Sequence, residues 1–200
     1  MHASFSSILA SEAYRMTRIR NAVLEDAQRI LEIYSYYIEK TAITFECSVP
    51  STAEFRDRMR EKMQRYPYIV IEKDERIAGY AYAGPFYPRA AYDWSCELSV
   101  YLDKDMTGRG LGRELYTHME EKLKAMGILN LYACIAVPDE DDEYLTHNSV
   151  LFHKHLGFSE AGFFGKCGYK FGRWYNMVWM EKIIGEHGSN QLPILPYAYN

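Results

Sequence analysis

The sequence predicts one mixed α/β domain, and three observations carry that expectation. Residues 95–137 run from an alternating strand through a glycine-rich turn into an amphipathic helix and then a dense apolar strand, the unit of a parallel crossover. Two more strand pairs, at residues 68–83 and 163–181, flank short polar turns and read as hairpins. The 48% hydrophobic content over 200 residues is enough to bury one core without disulfides or a structural metal.

Taken in order, residues 1–15 are expected to be an appendage. Phe5, Ile8 and Leu9 are interrupted by serines and Glu12, which breaks the apolar run a secretory signal needs. The domain is therefore placed at residues 16–184 and a peripheral tail at 185–200. A short strand at residues 17–21 precedes Ala27, Ile30, Leu31, Tyr34 and Ile38, which share one helical face. The apolar loop from Thr41 to Glu46 either lines a pocket or packs on the core. Ser51 and Glu54 have capping-box spacing ahead of Phe55, Met59, Met63 and Tyr66, and Pro67 stops that helix.

In the first hairpin the turn falls at residues 73–75, and Gly84-Pro85 is expected to break its second strand. The aromatic loop of residues 86–94 holds one cation, Arg89, which either pairs with a carboxylate or stacks on Tyr87 or Tyr92. Alternation across residues 95–102 sets Glu97, Ser99 and Tyr101 opposite Cys96, Leu98, Val100 and Leu102. A carboxylate inside a central strand is costly unless it faces a cleft or a partner, so Glu97 stands out. Leu111, Leu115, Met119, Leu123 and Met126 form the next helical stripe, closed by Gly127. The acidic run at residues 138–143 lacks the glycine and alternating ligands of a calcium loop and reads as a solvated insertion. A short helix at residues 149–156 and the second hairpin complete the domain.

Composition excludes several classes of function. A net charge of −4 with acids and bases interspersed gives no basic face for nucleic acid or an anionic membrane. No apolar run reaches membrane-spanning length. Cys47, Cys96, Cys134 and Cys167 lie far apart, the pattern of buried, reduced thiols in a cytoplasm rather than of a zinc site. His153 and His155, two apart on a helix, point to nearly opposite sides and cannot share a metal.

The glycine turn suggests a phosphate cradle, because a helix start presents free N–H groups and closely spaced glycines let a diphosphate reach them. Thr107-Gly108-Arg109-Gly110-Leu111-Gly112 has neither the Gly-Lys-Ser/Thr of a P-loop nor, at Arg113, the third glycine of a dinucleotide fingerprint. Read alone it fits a cradle or an ordinary turn before a helix. The turn is similar, however, to the Gln/Arg-x-x-Gly-x-Gly/Ala loop of the GCN5-related N-acetyltransferases, with Thr107 in place of the first Gln or Arg. Residues 81–85, the run Ala91-Tyr92-Asp93-Trp94 with Glu97, and Phe152 to Phe158 resemble the phosphinothricin acetyltransferase group of that family.

The resemblance spans about residues 17–184 and implies a mixed, mostly antiparallel sheet flanked by helices, splayed between the two crossover strands to admit acetyl-CoA. It implies acetyl-CoA contacts at Val100, Leu102, Thr107, Gly108, Arg109 and Gly110, and further at Gly112, Arg113, Ser149 and Phe152. It implies Glu97 as general base toward a small amine, a backbone N–H near Val100 for the thioester oxygen, and Phe45, Arg89 and Tyr92 around the acceptor. His153 stands where many relatives carry a tyrosine that protonates the departing thiolate, and it either does so or merely packs against acetyl-CoA or hydrogen-bonds Glu97. No metal is implied. The acceptor would be phosphinothricin or methionine sulfone or sulfoximine, although the acidic insertion and Thr146, where relatives often carry Asn, depart from the group. Two other readings remain open: an acyl-CoA-binding sensor without turnover, against which Glu97 argues, and a peptide N-terminal acetyltransferase, against which the bulky Phe45, Phe86 and Tyr87 argue. The aromatic last hairpin would suit a homodimer interface.

Overall fold

The computed structural model describes residues 17–199, so the appendage expected at residues 1–15 lies outside the described residues. The chain forms β1 (Arg18–Asn21), α1 (Ala27–Lys40), α2 (Thr52–Met63), β2 (Tyr68–Lys73), β3 (Arg76–Pro85) and β4 (Ser95–Leu102). It continues through α3 (Leu111–Met126), β5 (Asn130–Val137), α4 (Asn148–His155), β6 (Ser159–Lys170) and β7 (Arg173–Ile183). The strands make one sheet in the order β1-β2-β3-β4-β5-β7-β6. Among the described residues only β4 and β5 are parallel neighbours, joined through α3 as the crossover pattern predicts.

The alternation read in β4 sorts its two faces. Cys96 and Leu98 pack with Leu115, Met119 and Leu123 of α3, while α1 and α2 cover the other face through Ile30, Tyr34, Phe55 and Met59 against Tyr68, Val70 and Tyr80. Burying each such large apolar side chain is worth about 1.5–3 kcal/mol, so the two layers clamp the sheet from both sides. No helix among the described residues is long and apolar enough to cross a membrane.

Several local expectations change. Gly84-Pro85 does not break β3, which runs to Pro85 opposite Cys96. The Ala83 N–H already points to Pro67 of the chain entering β2, so two residues later Pro85 faces a side where β2 has ended and its missing N–H costs nothing. At α2 the Ser51 hydroxyl accepts the Glu54 N–H at 3.2 Å, but the Glu54 carboxylate turns to Arg58 at 2.8 Å, so the capping box is half formed. The acidic run is solvated, with Asp139, Glu140, Asp141 and Glu143 exposed, but it is also organised: Asp139 accepts from Asn176, and Asp142 accepts the N–H groups of Tyr144 and Leu145 and pairs with Arg173.

The residues after β7 return along the sheet. Trp94 Nε1 donates to the Leu192 carbonyl at 2.8 Å, the Leu195 N–H to Met126, and the Tyr197 hydroxyl to Asn21 at 2.6 Å. Tyr197 and Tyr199 pack against the two core layers. This segment fixes the end of the sheet from which β4 and β5 start.

Candidate active site

The two crossover strands pair only through Ser95–Asn130, Cys96–Leu131 and Glu97–Tyr132. Past Glu97, β4 keeps β3 on one side and has no strand of the described residues on the other, although both β4 and β5 continue for five more residues. The parting opens a slot of about 100 Å3 between Val100 and Ser99 of β4 and Cys134 of β5, closed by Ser149, Phe152 and His153 of α4. Backbone polar groups lining such a gap need partners, and an extended ligand arm bearing amides can supply them.

Beyond the slot, β4 ends at Leu102, whose carbonyl accepts the Tyr37 hydroxyl at 2.6 Å, and the chain turns into the glycine segment. Gly108 and Gly110 have φ of +71° and +82°, with nothing near the position a Cβ would take. They are needed for the left-handed backbone, and they leave the start of α3 open. Gly110 is the N-cap of α3 and offers no side chain to its free N–H groups. Gly112 acts through packing instead, since a Cβ there would lie 3.1 Å from the Phe152 ring and the bare glycine lets α4 come close to α3. Thr107, Arg109 and Arg113 surround the open helix start, and neither arginine is in an ion pair with a described residue. A diphosphate fits this ending chemically, with free N–H groups, helix-dipole charge and two cations on one surface.

Glu97 stands where the slot begins, on the face of β4 turned toward α2. Burial raises its carboxyl above the usual carboxylate range, and the nearby Lys62 charge partly opposes the rise. A base needs this kind of tuning to hold a proton at moderate pH. Cys134 also borders the slot; like Cys47 and Cys167 it is exposed rather than buried as expected, yet partial desolvation of its sulfur and then the charge of Glu97 push the thiol up to about 12, which keeps it a thiol.

His153 is buried in α4 and makes two short contacts. Nδ1 lies 2.7 Å from the Ser149 carbonyl, an obligate acceptor, so Nδ1 carries the proton. Nε2 then accepts the Tyr116 hydroxyl at 2.6 Å. Burial lowers the imidazole below its usual range, with the Ser149 carbonyl acting the other way, so His153 is neutral at neutral pH. The spacing of Leu111, Leu115 and Met119 hid Tyr116, which lies one turn beyond Gly112 on the neighbouring face of α3 and lines the slot.

The three acceptor residues are distributed more widely. Phe45 leans across β6 so closely that a side chain at Gly168 would overlap its ring, and it packs beside Ala136 and Tyr175. Tyr92 is exposed and reaches the site through Phe86, whose ring is 5.8 Å from Tyr92 and stacks at 4.1 Å on Tyr132, the register partner of Glu97. Arg89 caps the short 3-10 turn of that loop and is exposed. It stacks on no described ring and does not border the slot.

The chain matches the acetyltransferase (GNAT) domain family over residues 19–179. It is 33% identical over 168 residues to a phosphinothricin N-acetyltransferase of Streptomyces viridochromogenes, covering 84% of this chain and 88% of that protein. It is also 33% identical to an L-methionine sulfoximine/L-methionine sulfone acetyltransferase of Pseudomonas aeruginosa, across 82% of this chain and 92% of the other. The crystal structure of a GNAT superfamily phosphinothricin acetyltransferase from Sinorhizobium meliloti, in complex with AcCoA, superposes with a TM-score of 0.79 at 31% identity, covering 88% of this chain and 92% of that one.

Proposed function

The chain belongs to the GNAT acetyltransferase family, and from that premise we propose that it moves the acetyl group of acetyl-CoA onto the primary amine of a small amino-acid acceptor, with Glu97 as general base. The observation that carries the proposal is the half-buried carboxylate of Glu97 at the point where β4 and β5 part, beside the slot and in a setting that raises its proton affinity. When bound, acetyl-CoA supplies an activated thioester carbon. Glu97 takes a proton from the acceptor ammonium, directly or through one water, and frees the nitrogen lone pair for attack. The C–N bond forms as the C–S bond breaks, and β4 offers backbone N–H near Val100 to the oxygen on which negative charge grows. Phe45 and Tyr92 would hold the acceptor, with Arg89 closing over its carboxylate. The names of the relatives favour phosphinothricin or methionine sulfone and sulfoximine as acceptors. Free-thiol release from acetyl-CoA, measured across amino acids and these analogues, tests the reading; no release above hydrolysis with any acceptor contradicts it.

The proton that leaves with CoA is assigned to the Tyr116–His153 pair. A neutral His153 with its proton on Nδ1 has none to give from Nε2, and burial raises the phenol of Tyr116, so the pair protonates the thiolate only after Nε2 has itself taken up a proton from water, which the Tyr116 hydroxyl then accepts and relays as its own proton goes to sulfur. Tyr116→Phe and His153→Phe should each lower turnover by roughly 10–100-fold and alter the alkaline limb of the rate profile. A change confined to acetyl-CoA affinity would leave the pair a packing role only.

Two copies are proposed to associate in a cytoplasm through the last hairpin. Among the described residues the outermost strand β6 pairs only with β7, and it exposes Phe163, Phe164 and Tyr169, an apolar edge that a second copy would cover. Sedimentation at micromolar concentration should give twice the chain mass; a monomer would remove the dimer.

A further inference from the structure

A second cavity, of about 230 Å3, opens between α1, α2 and the β2–β3 hairpin. Its wall is a set of phenol rings: Tyr68 lies 5.1 Å from Tyr82 and 5.9 Å from Tyr80, both nearly parallel, with Tyr34 across from them. Two cations from successive turns of α2 reach the cavity, Arg58 and Lys62. They differ in one respect. Arg58 is neutralised by Glu46 at 2.9 Å and Glu54 at 2.8 Å. Lys62 forms neither an ion pair nor a side-chain hydrogen bond with a described residue; its ammonium rests against β3, 2.9 Å from where a Cβ on Gly84 would stand. Gly84 is the register partner of Glu97, so Lys62 borders both the cavity and the base. Its charge is felt by Glu97, yet the two side chains stay beyond ion-pair distance.

Glu46, bound to Arg58, and the exposed Glu61 also line the cavity, so Lys62 is the cation there that no described carboxylate holds in an ion pair. A half-buried ammonium so placed, beside tyrosine rings, has the chemistry of a receptor for an anion. Building on the proposed reaction, we infer that Lys62 is a specificity residue: with the acceptor amine at Glu97, the acceptor side chain enters the tyrosine cavity, and Lys62 selects side chains that end in an oxyanion. A phosphinate carries a full negative charge and meets this requirement. A sulfone or sulfoximine is neutral and leaves the ammonium unpaired. The contribution of Lys62 is thus to separate two acceptor types that the family relationship leaves together.

The test compares kcat/KM for phosphinothricin and methionine sulfone in the wild type, Lys62→Met and Lys62→Arg, with acetyl-CoA saturating and pH held above the acidic limb. Wild type should favour phosphinothricin. Lys62→Met, of similar volume and uncharged, should lower the phosphinothricin to methionine sulfone ratio by roughly 10–100-fold, chiefly through KM, and Lys62→Arg should restore much of it. An unchanged ratio, including an equal fall with both acceptors, overturns the inference and leaves Lys62 as a modulator of Glu97 or a fold contact. Wild-type protein that releases no CoA with either acceptor, or with any other amine, instead refutes the acetyltransfer reading on which the inference rests.

Discussion

Glu97→Gln should reduce turnover by roughly 10²–10⁴ while acetyl-CoA still binds, because the amide keeps the shape of the side chain and loses its basicity. The acidic limb of the wild-type profile should lie above the usual range of a glutamate, since burial raises the carboxyl and activity requires the ionised form. As pH falls through that raised value, Glu97 gains a proton and turnover is lost. The stability effect has the opposite sense. A carboxyl whose folded pKa exceeds its unfolded value binds more protons in the native state between the two values, so its ionisation at neutral pH costs stability. Glu97→Gln should therefore melt at or slightly above the wild-type temperature at pH 7, which separates lost chemistry from lost fold. A variant with wild-type turnover, when chemistry is rate-limiting, would leave bulk water as the proton acceptor.

Gly110→Val should weaken acetyl-CoA binding by roughly tenfold or more, for two separable reasons. The residue sits at φ +82°, and holding an L side chain in that region costs about 1–2 kcal/mol. A branched side chain would also occupy the open space in front of the free N–H groups of α3, where a phosphate has to approach. Calorimetric titration of a variant with an unchanged circular dichroism spectrum reads the effect. Undiminished affinity would remove the helix start from the binding site.

The parts of this arrangement that were legible in the sequence are those written by local periodicity. The alternation of residues 95–102 put Glu97 on the face opposite Cys96 and Leu98, and the structure keeps that sorting because one face must meet α3. The crossover followed from strand, glycine turn, helix and strand in succession. The parting of β4 and β5 has no local signature, since both strands remain regular where they stop pairing; only the family resemblance implied it. Gly84-Pro85 misled because a proline is a breaker only where its missing N–H had a partner. The last hairpin runs longer than its apolar core suggested, with register shifts absorbing Lys166 and Cys167. Contacts between distant segments were out of reach: Lys62 is an ordinary lysine on the polar side of α2 until β3 folds beneath it, and Tyr116 is one more tyrosine among 18 until α4 brings His153 to it.

The central claim is that the acetyl group passes from acetyl-CoA straight to an acceptor amine. Mass spectrometry of a single turnover, with acetyl-labelled acetyl-CoA, a slight excess of enzyme and either phosphinothricin or methionine sulfone, follows the label among the three species that could carry it. The account predicts label on the amino-acid nitrogen in equal amount to free CoA, with none on the protein at any time, because Cys134 beside the slot is held as a thiol. Label that stays on CoA would make the protein a binder without turnover, and label that first accumulates on the protein would replace direct attack by a covalent route.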